Sequence, residues 1–231
     1  MTLLSPLSWQ DLLAFAWFVS VWVGYAWYSR NASQRGVTLL AVTNSWRRHW
    51  MAQATSRDPR ILDGVITQSL SHSPSFFASA TLIVIGGVLA LLGAMDKAAE
   101  LVREMPFAVA TSRAALEIKV VVLAGIFTFA FFRFTWSMRQ YSFVALMLGA
   151  MPTPREFESG QVQRQAYVDR AAALVGAAAE TFNDGVRAYY FAFAALAWFF
   201  SPLGLAVASA LVVAILYGRE FHSGVLRLLR D

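Results

Sequence analysis

The chain alternates between long apolar runs and shorter segments rich in Arg. Four apolar regions reach the length of about 20 residues that a helix needs to cross a bilayer. They are residues 9–28, 75–95, 116–136 and 188–217. The first gathers Trp and Tyr toward its ends, as interfacial belts do. The second, "SFFASATLIVIGGVLALLGAM", follows Ser73 and Pro74, which read as an N-cap and a first-turn proline. The third continues past Trp136 as "SMRQYSFVALMLGAM" until "PTP" at 152–154 stops it. The fourth is interrupted by "SPLG" at 201–204. It has two readings: one tilted helix kinked at Pro202, or a hairpin whose halves, about 14 residues each, are too short to cross. Length favours the kinked helix.

The segments between the spans keep a helical rhythm. From Val37 to Gln53, Leu39, Val42, Trp46 and Trp50 fall on one stripe, with Arg47 and Arg48 off it. Asp58 and Pro59 read as the N-cap and first-turn proline of a further helix. In that helix Ile61, Leu62, Val65, Ile66 and Leu70 form an apolar face. Residues 166–185 are rich in Ala and predict a helix running into the fourth apolar region. The expected architecture is therefore all-α: a polytopic membrane protein with four membrane-embedded helical regions. It forms a single membrane domain over residues 1–231, with cytosolic amphipathic helices in segments 37–72 and 138–187. Residues 96–115 make a short connection of mixed charge. No Lys or Arg precedes the first apolar run, and that run is longer than a signal core, so it is expected to stay as the first span.

Composition agrees with a membrane protein. Of 231 residues, 58% are hydrophobic and 14% charged, about half the charged fraction of a soluble domain. The net charge of +5 comes almost wholly from Arg, and in this setting it marks loops that meet anionic lipid rather than nucleic acid. The segment 30–72 holds six Arg against two Asp, and 139–187 holds five Arg against five acids. The positive-inside rule puts both segments in the cytoplasm and the N-terminus outside, in a bacterial inner membrane. The tail 218–231 conflicts with that count: it carries three Arg, yet four simple crossings would place it outside.

The chain has no cysteine, which excludes disulfides, thiolate nucleophiles and Cys-based metal sites. His49, His72 and His222 do not pair at helical spacing, so neither a metal nor another cofactor is expected. No P-loop, nucleophile elbow, zinc-protease or dinucleotide motif is present. Candidate chemistry rests on charges inside or beside spans, where ionisable groups are expensive and have a reason. Arg133 lies deep in the third span, Arg139 follows six residues later, and Glu117 with Lys119 opens that span. These four are the pore or anion-contact candidates. In "TNSWRRHWMAQATSRDPRILDG" (43–64), Trp46, Trp50, Arg47 and Arg48 are candidates for the headgroup layer and lipid phosphates. Arg187 joins them, spaced to pair with Asp184 just below the fourth region. Arg219 and Glu220 read as boundary charges.

Several stretches together are similar to a known family: "WM" at 50–51, "SFFASATLI" at 75–83, "EIK" at 117–119, "WSMRQYSF" at 136–143, "RAYYF" at 187–191, "WFFSP" at 198–202 and "LYGREFHS" at 216–223. They resemble domain-of-unknown-function family 599, uncharacterised polytopic membrane proteins of bacteria and plants. The resemblance implies a polytopic membrane protein with large cytosolic segments and carries no activity with it.

The residues themselves support three readings. The first is an oligomeric small-ion channel or transporter that leans to anions because of its Arg residues. The second is a non-catalytic scaffold or accessory subunit of a larger membrane complex. The last is a membrane enzyme, for which Glu117 is the one acid or base in view. The expected partners are membrane lipids and further copies of the chain, since small residues such as Gly86, Gly87 and Gly93 allow helices to approach closely.

Overall fold

The computed structural model describes residues 7–97, 100 and 112–230. Residues 98, 99 and 101–111, most of the expected mixed-charge connection, lie outside the described residues. The helices are α1 (Trp9–Gln34), α2 (Leu39–Ala54), α3 (Ile61–Gly93), α4 (Arg113–Gly149), α5 (Pro154–Glu158), α6 (Arg164–Leu196), α7 (Pro202–Phe221) and α8 (Gly224–Arg230), with a 3₁₀ turn at Ala197–Phe199. Among the described residues there is no strand. Among the described residues, four helical stretches are long and apolar enough to cross a membrane: Trp9–Gln34, Ile61–Gly93, Arg113–Gly149 and Pro202–Arg230. The protein is an all-α membrane protein.

Two boundaries differ from the sequence reading. Ser73 and Pro74 do not start a helix. Pro74 is buried inside α3, which joins the amphipathic segment and the second span into 33 continuous residues. The helix continues through the proline and packs at length on α4, with Ala78 and Thr81 buried. Asp58 is likewise not an N-cap, because α3 starts two residues after Pro59, with Arg60 at the cap position. Arg60 instead ties loops together, donating to the carbonyls of Ala54 (3.0 Å), Met151 (3.0 Å) and Pro152 (2.6 Å).

The fourth region is not one kinked helix but a hairpin. Ser201 is extended, with φ −163° and ψ 155°, as a residue before proline prefers. Its hydroxyl accepts from the Gly204 N–H at 2.9 Å, and Pro202 takes the first helical position. The chain then folds back on itself. A Cβ at Gly204 would lie 2.8 Å from the Ala197 carbonyl oxygen, so the close turn needs glycine there. Tyr190 meets Arg219 and Arg187 meets Glu220, which fixes α6 and α7 as antiparallel neighbours. The hairpin halves are not too short, because α6 reaches 33 residues and α7 reaches 20. The turn also settles the tail. α8 lies against α2, where Trp46 Nε1 donates to the Leu229 carbonyl (3.2 Å) and Arg230 donates to the Val37 carbonyl (2.9 Å).

All described helices therefore share two ends. The N-terminal end gathers the starts of α1 and α4 and the 3₁₀ turn. The Arg-rich end gathers α2, α5, α8 and the lower halves of α3, α4 and α6. α6 is the central helix: its Ala-rich faces pack on α2, α4 and α7. At Gly185 a Cβ would fall 2.5 Å from the Phe134 ring, so α4 and α6 cross where only glycine fits. The described residues form two hydrophobic cores. The larger runs through the apolar half and is rich in aromatics, with Phe18, Phe134, Phe191 and Trp198 buried. The smaller lies at the Arg-rich end, around Met51, Val144, Met151, Phe157 and Val175.

Candidate functional site

Between these two cores lies a layer of ion pairs. Asp184 on α6 is the hub. Its Oδ2 accepts from Arg30 of α1 (2.7 Å) and from Arg133 of α4, and its Oδ1 accepts from Arg187 (3.2 Å). The Asp184–Arg187 pair is the local, helix-spaced contact expected from the sequence. Arg187 then reaches across to α7, where its Nε (3.0 Å) and Nη2 (2.7 Å) donate to Glu220 Oε1. Glu220 Oε2 accepts from the Tyr25 hydroxyl (2.8 Å) and the Ser29 hydroxyl (2.5 Å), and Ser29 also accepts from Arg187 (2.8 Å). Arg30 has a second, longer contact, with Glu180 at 3.4 Å. Four helices thus meet through one network of charges.

Burial makes that network consequential. The Asp184 and Arg187 side chains are 8% and 6% exposed. An uncompensated charge there is costly, so each guanidinium is held by the others' partners. Arg133 is the least satisfied, since its Nε is buried without a hydrogen-bond partner.

Two cavities flank the layer, and Arg187 lines both. The first, about 220 Å³, opens at the Arg-rich end between α2, α6 and α7, and Arg47, Arg187, Arg219 and Glu220 supply its charges. Arg47 lies against this cavity, hydrogen-bonded to Asn44 (2.7 Å) and Thr43 (2.9 Å), and burial holds its guanidinium below the usual range. The second cavity, about 630 Å³, lies on the apolar side between α1 and α4, with Arg30, Arg133, Asp184 and Arg187 at its floor.

The remaining candidates lie elsewhere. Arg139 is exposed and stacks over Phe143 (5.2 Å). Glu117 pairs with Arg113 at 2.9 Å on the surface, and Arg113 also holds Asp96. Lys119, two residues on, is 2% exposed at the N-terminal end. Its Nζ donates to the Trp198 carbonyl (2.9 Å) and lies 3.3 Å from Asp11, which also accepts from Trp198 Nε1 (2.8 Å) and the Ser8 hydroxyl (2.6 Å). Arg48 reaches Asp169 of α6 (2.7 Å). Trp46 is exposed, whereas Trp50 donates to the fully buried Asp63 (2.7 Å), which Arg57 also holds (2.6 Å). Among the described residues no three His, Asp or Glu side chains gather as metal ligands.

Arg30, Tyr25, Ser29 and Glu220 were not singled out as site residues from sequence. Glu220 had one usable signal, an acid at the end of a span. Ser29 and Tyr25 had none, because their role depends on α7 returning beside α1.

No curated protein and no solved structure matches the chain. What does match, over residues 13–225, is the sequence model of DUF599, described as a protein of unknown function, and the chain belongs to that family.

Proposed function

We propose that this membrane protein carries a small anion by a gated, transporter-like route. The observation behind the proposal is that Arg187 stands between two cavities, clamped by Asp184 on one side and Glu220 on the other. The cavity at the Arg-rich end presents three guanidiniums against one carboxylate. An anion arriving there competes with Glu220 for Arg187, and releasing that pair loosens the joint between α6 and α7. A permanently open pore is not the form such a route takes, since Phe18, Phe191, Trp198 and Leu205 fill the bundle above the layer. Movement of helices, or assembly with further copies of the chain, supplies the rest of the path. Most Arg residues outside the apolar half belong to the end that carries α2, α5 and α8, so that end is the cytoplasmic one and the N-terminus lies outside.

An accessory-subunit role is the second reading. It is favoured by the lower part of α3, where Ile61, Leu62 and Val65 are 72%, 57% and 56% exposed beyond the ion-pair layer. Flux measured in liposomes separates the two. Chloride or nitrate flux above that of empty vesicles, lost in Arg187→Gln and retained in Arg48→Gln, supports transport. Absence of flux for common anions from a folded, monodisperse preparation rules the transport reading out and leaves the subunit reading.

A further inference from the structure

We infer that the fissure between α1 and α4 holds one anionic phospholipid, its phosphate on Arg30 and Arg133 and an acyl chain on the wall above. The fissure is the larger cavity, and its volume of about 630 Å³ falls within the range of about 300–1,000 Å³ typical of ligand sites. Its wall is formed by Val19, Trp22, Val23 and Trp27 of α1 facing Phe129 of α4. Val23 and Trp27 are 63% and 68% exposed. The wall is therefore open sideways to the bilayer rather than to water.

Polarity changes along the fissure as it does along a lipid. The lining residues Val19, Trp22, Val23 and Ala26 are apolar, Trp27 marks the interface, and Arg30 follows one turn later. From Asp11 to Arg30 the helix rises about 28 Å, close to the hydrocarbon thickness of about 30 Å. The guanidiniums therefore sit at headgroup depth in the leaflet at the Arg-rich end.

The floor carries positive charge with donors to spare. A guanidinium has five N–H donors. Arg30 and Arg133 share a single oxygen, Asp184 Oδ2. Arg30 has Glu180 as a second, longer partner at 3.4 Å. Arg133 has no second carboxylate among the described residues, and its buried Nε is unpartnered. Glu220 does not line this cavity and is taken up by Arg187, Tyr25 and Ser29. A phosphate monoanion supplies acceptors for the Nη donors of Arg30 and Arg133 that Asp184 leaves free, and the chain above it covers the apolar wall. Free phosphate would satisfy the floor and leave the wall bare, which is why the occupant is a lipid.

The test uses the full chain, purified in mild detergent and stripped of lipid, then titrated with phosphatidylglycerol, phosphatidylcholine or inorganic phosphate while bound molecules are counted by native mass spectrometry. The expected result is one phosphatidylglycerol per chain, retained in preference to phosphatidylcholine and not displaced by inorganic phosphate. Arg30→Gln weakens that binding about tenfold, the worth of one charge-assisted hydrogen bond. Val23→Trp, which fills the wall and leaves every charge in place, weakens it comparably. Arg113→Gln removes an equal charge from an exposed pair at the opposite end of the bundle and changes nothing. Should Arg30→Gln fail to fold, Val23→Trp against Arg113→Gln still decides. Equal retention of both lipids, displacement by inorganic phosphate, no effect of Val23→Trp, or a loss in Arg113→Gln as large as in Arg30→Gln would each overturn the assignment.

Discussion

Apart from Asp63, which Arg57 and Trp50 hold, buried charge stands at two levels of the bundle, and the two levels are built differently. At the N-terminal end, Lys119 and Asp11 form a closed pair. Lys119 donates to a backbone carbonyl, and Asp11 is wrapped by Ser8 and Trp198. At the Arg-rich end, three guanidiniums share Asp184, and the group borders two cavities. Measured along α1, Asp11 and Arg30 are about 28 Å apart, a separation close to the hydrocarbon thickness of about 30 Å. Both fix how helices meet. Only the lower one has somewhere for an incoming anion to go, and only there do the cations outnumber the carboxylates lining each cavity. The upper pair is a rivet and the lower layer a joint.

Replacing the hub tests that distinction most severely. Asp184→Ala leaves Arg133 and Arg187 without their shared acceptor in a buried setting, and breaking a buried network from one side costs about 3–5 kcal/mol. The expected outcome is a large fall in the unfolding midpoint in detergent, followed by tryptophan fluorescence. A change below about 1 kcal/mol would mean that water or lipid already satisfies these cations, and the joint would not depend on Asp184.

The upper level is expected to lose less. Lys119→Met removes one partner of Asp11, yet Ser8 and Trp198 still donate to it. The loss expected is about 1–3 kcal/mol, the range for a buried group losing one hydrogen bond. Adding Asp11→Asn should recover most of it, since an isolated buried ion pair can be replaced by uncharged groups at little cost. Anion flux through the double variant should match that of the wild type. Loss of flux there, with stability restored, would make the N-terminal end part of the route and erase the contrast between rivet and joint.

How much of this could be read from the chain follows from the range of each interaction. The spans were legible because a 20-residue apolar run is a local property, and α1, α3 and α4 fall where hydropathy puts them. The helix-spaced Asp184–Arg187 pair was legible for the same reason. Pro74 misled because a proline usually marks a boundary, whereas α3 continues through it and packs at length on α4. "SPLG" was ambiguous because the halves were measured by apolar length alone, whereas α6 gains its length from the Ala-rich segment beneath. Glu220 looked like a boundary charge until the hairpin brought it to within 2.7 Å of Arg187. The joint is made of residues up to 195 positions apart, and no local pattern encodes such a pairing.

The smallest expected effect is also the most discriminating, because it removes one hydroxyl from a carboxylate at each level. Ser8→Ala takes a donor and a helix cap from Asp11, and Tyr25→Phe takes a donor from Glu220. Each carboxylate keeps other partners, so each change should cost only about 1 kcal/mol of stability. Stability alone does not separate them. The difference lies in what the carboxylate does next. With Tyr25 gone, Glu220 spends less of its charge on a neutral donor and holds Arg187 more firmly. An anion must then displace a stronger competitor, and its affinity for the cavity at the Arg-rich end should fall about threefold to tenfold, equivalent to about 0.6–1.4 kcal/mol. Ser8→Ala leaves that cavity untouched, and affinity should not move. Chloride titration of both variants, read by the quenching of tryptophan fluorescence or by calorimetry, gives the comparison directly. Equal shifts in the two, or none in Tyr25→Phe, would show that Glu220 does not compete with the anion for Arg187, and the clamp would be architecture alone.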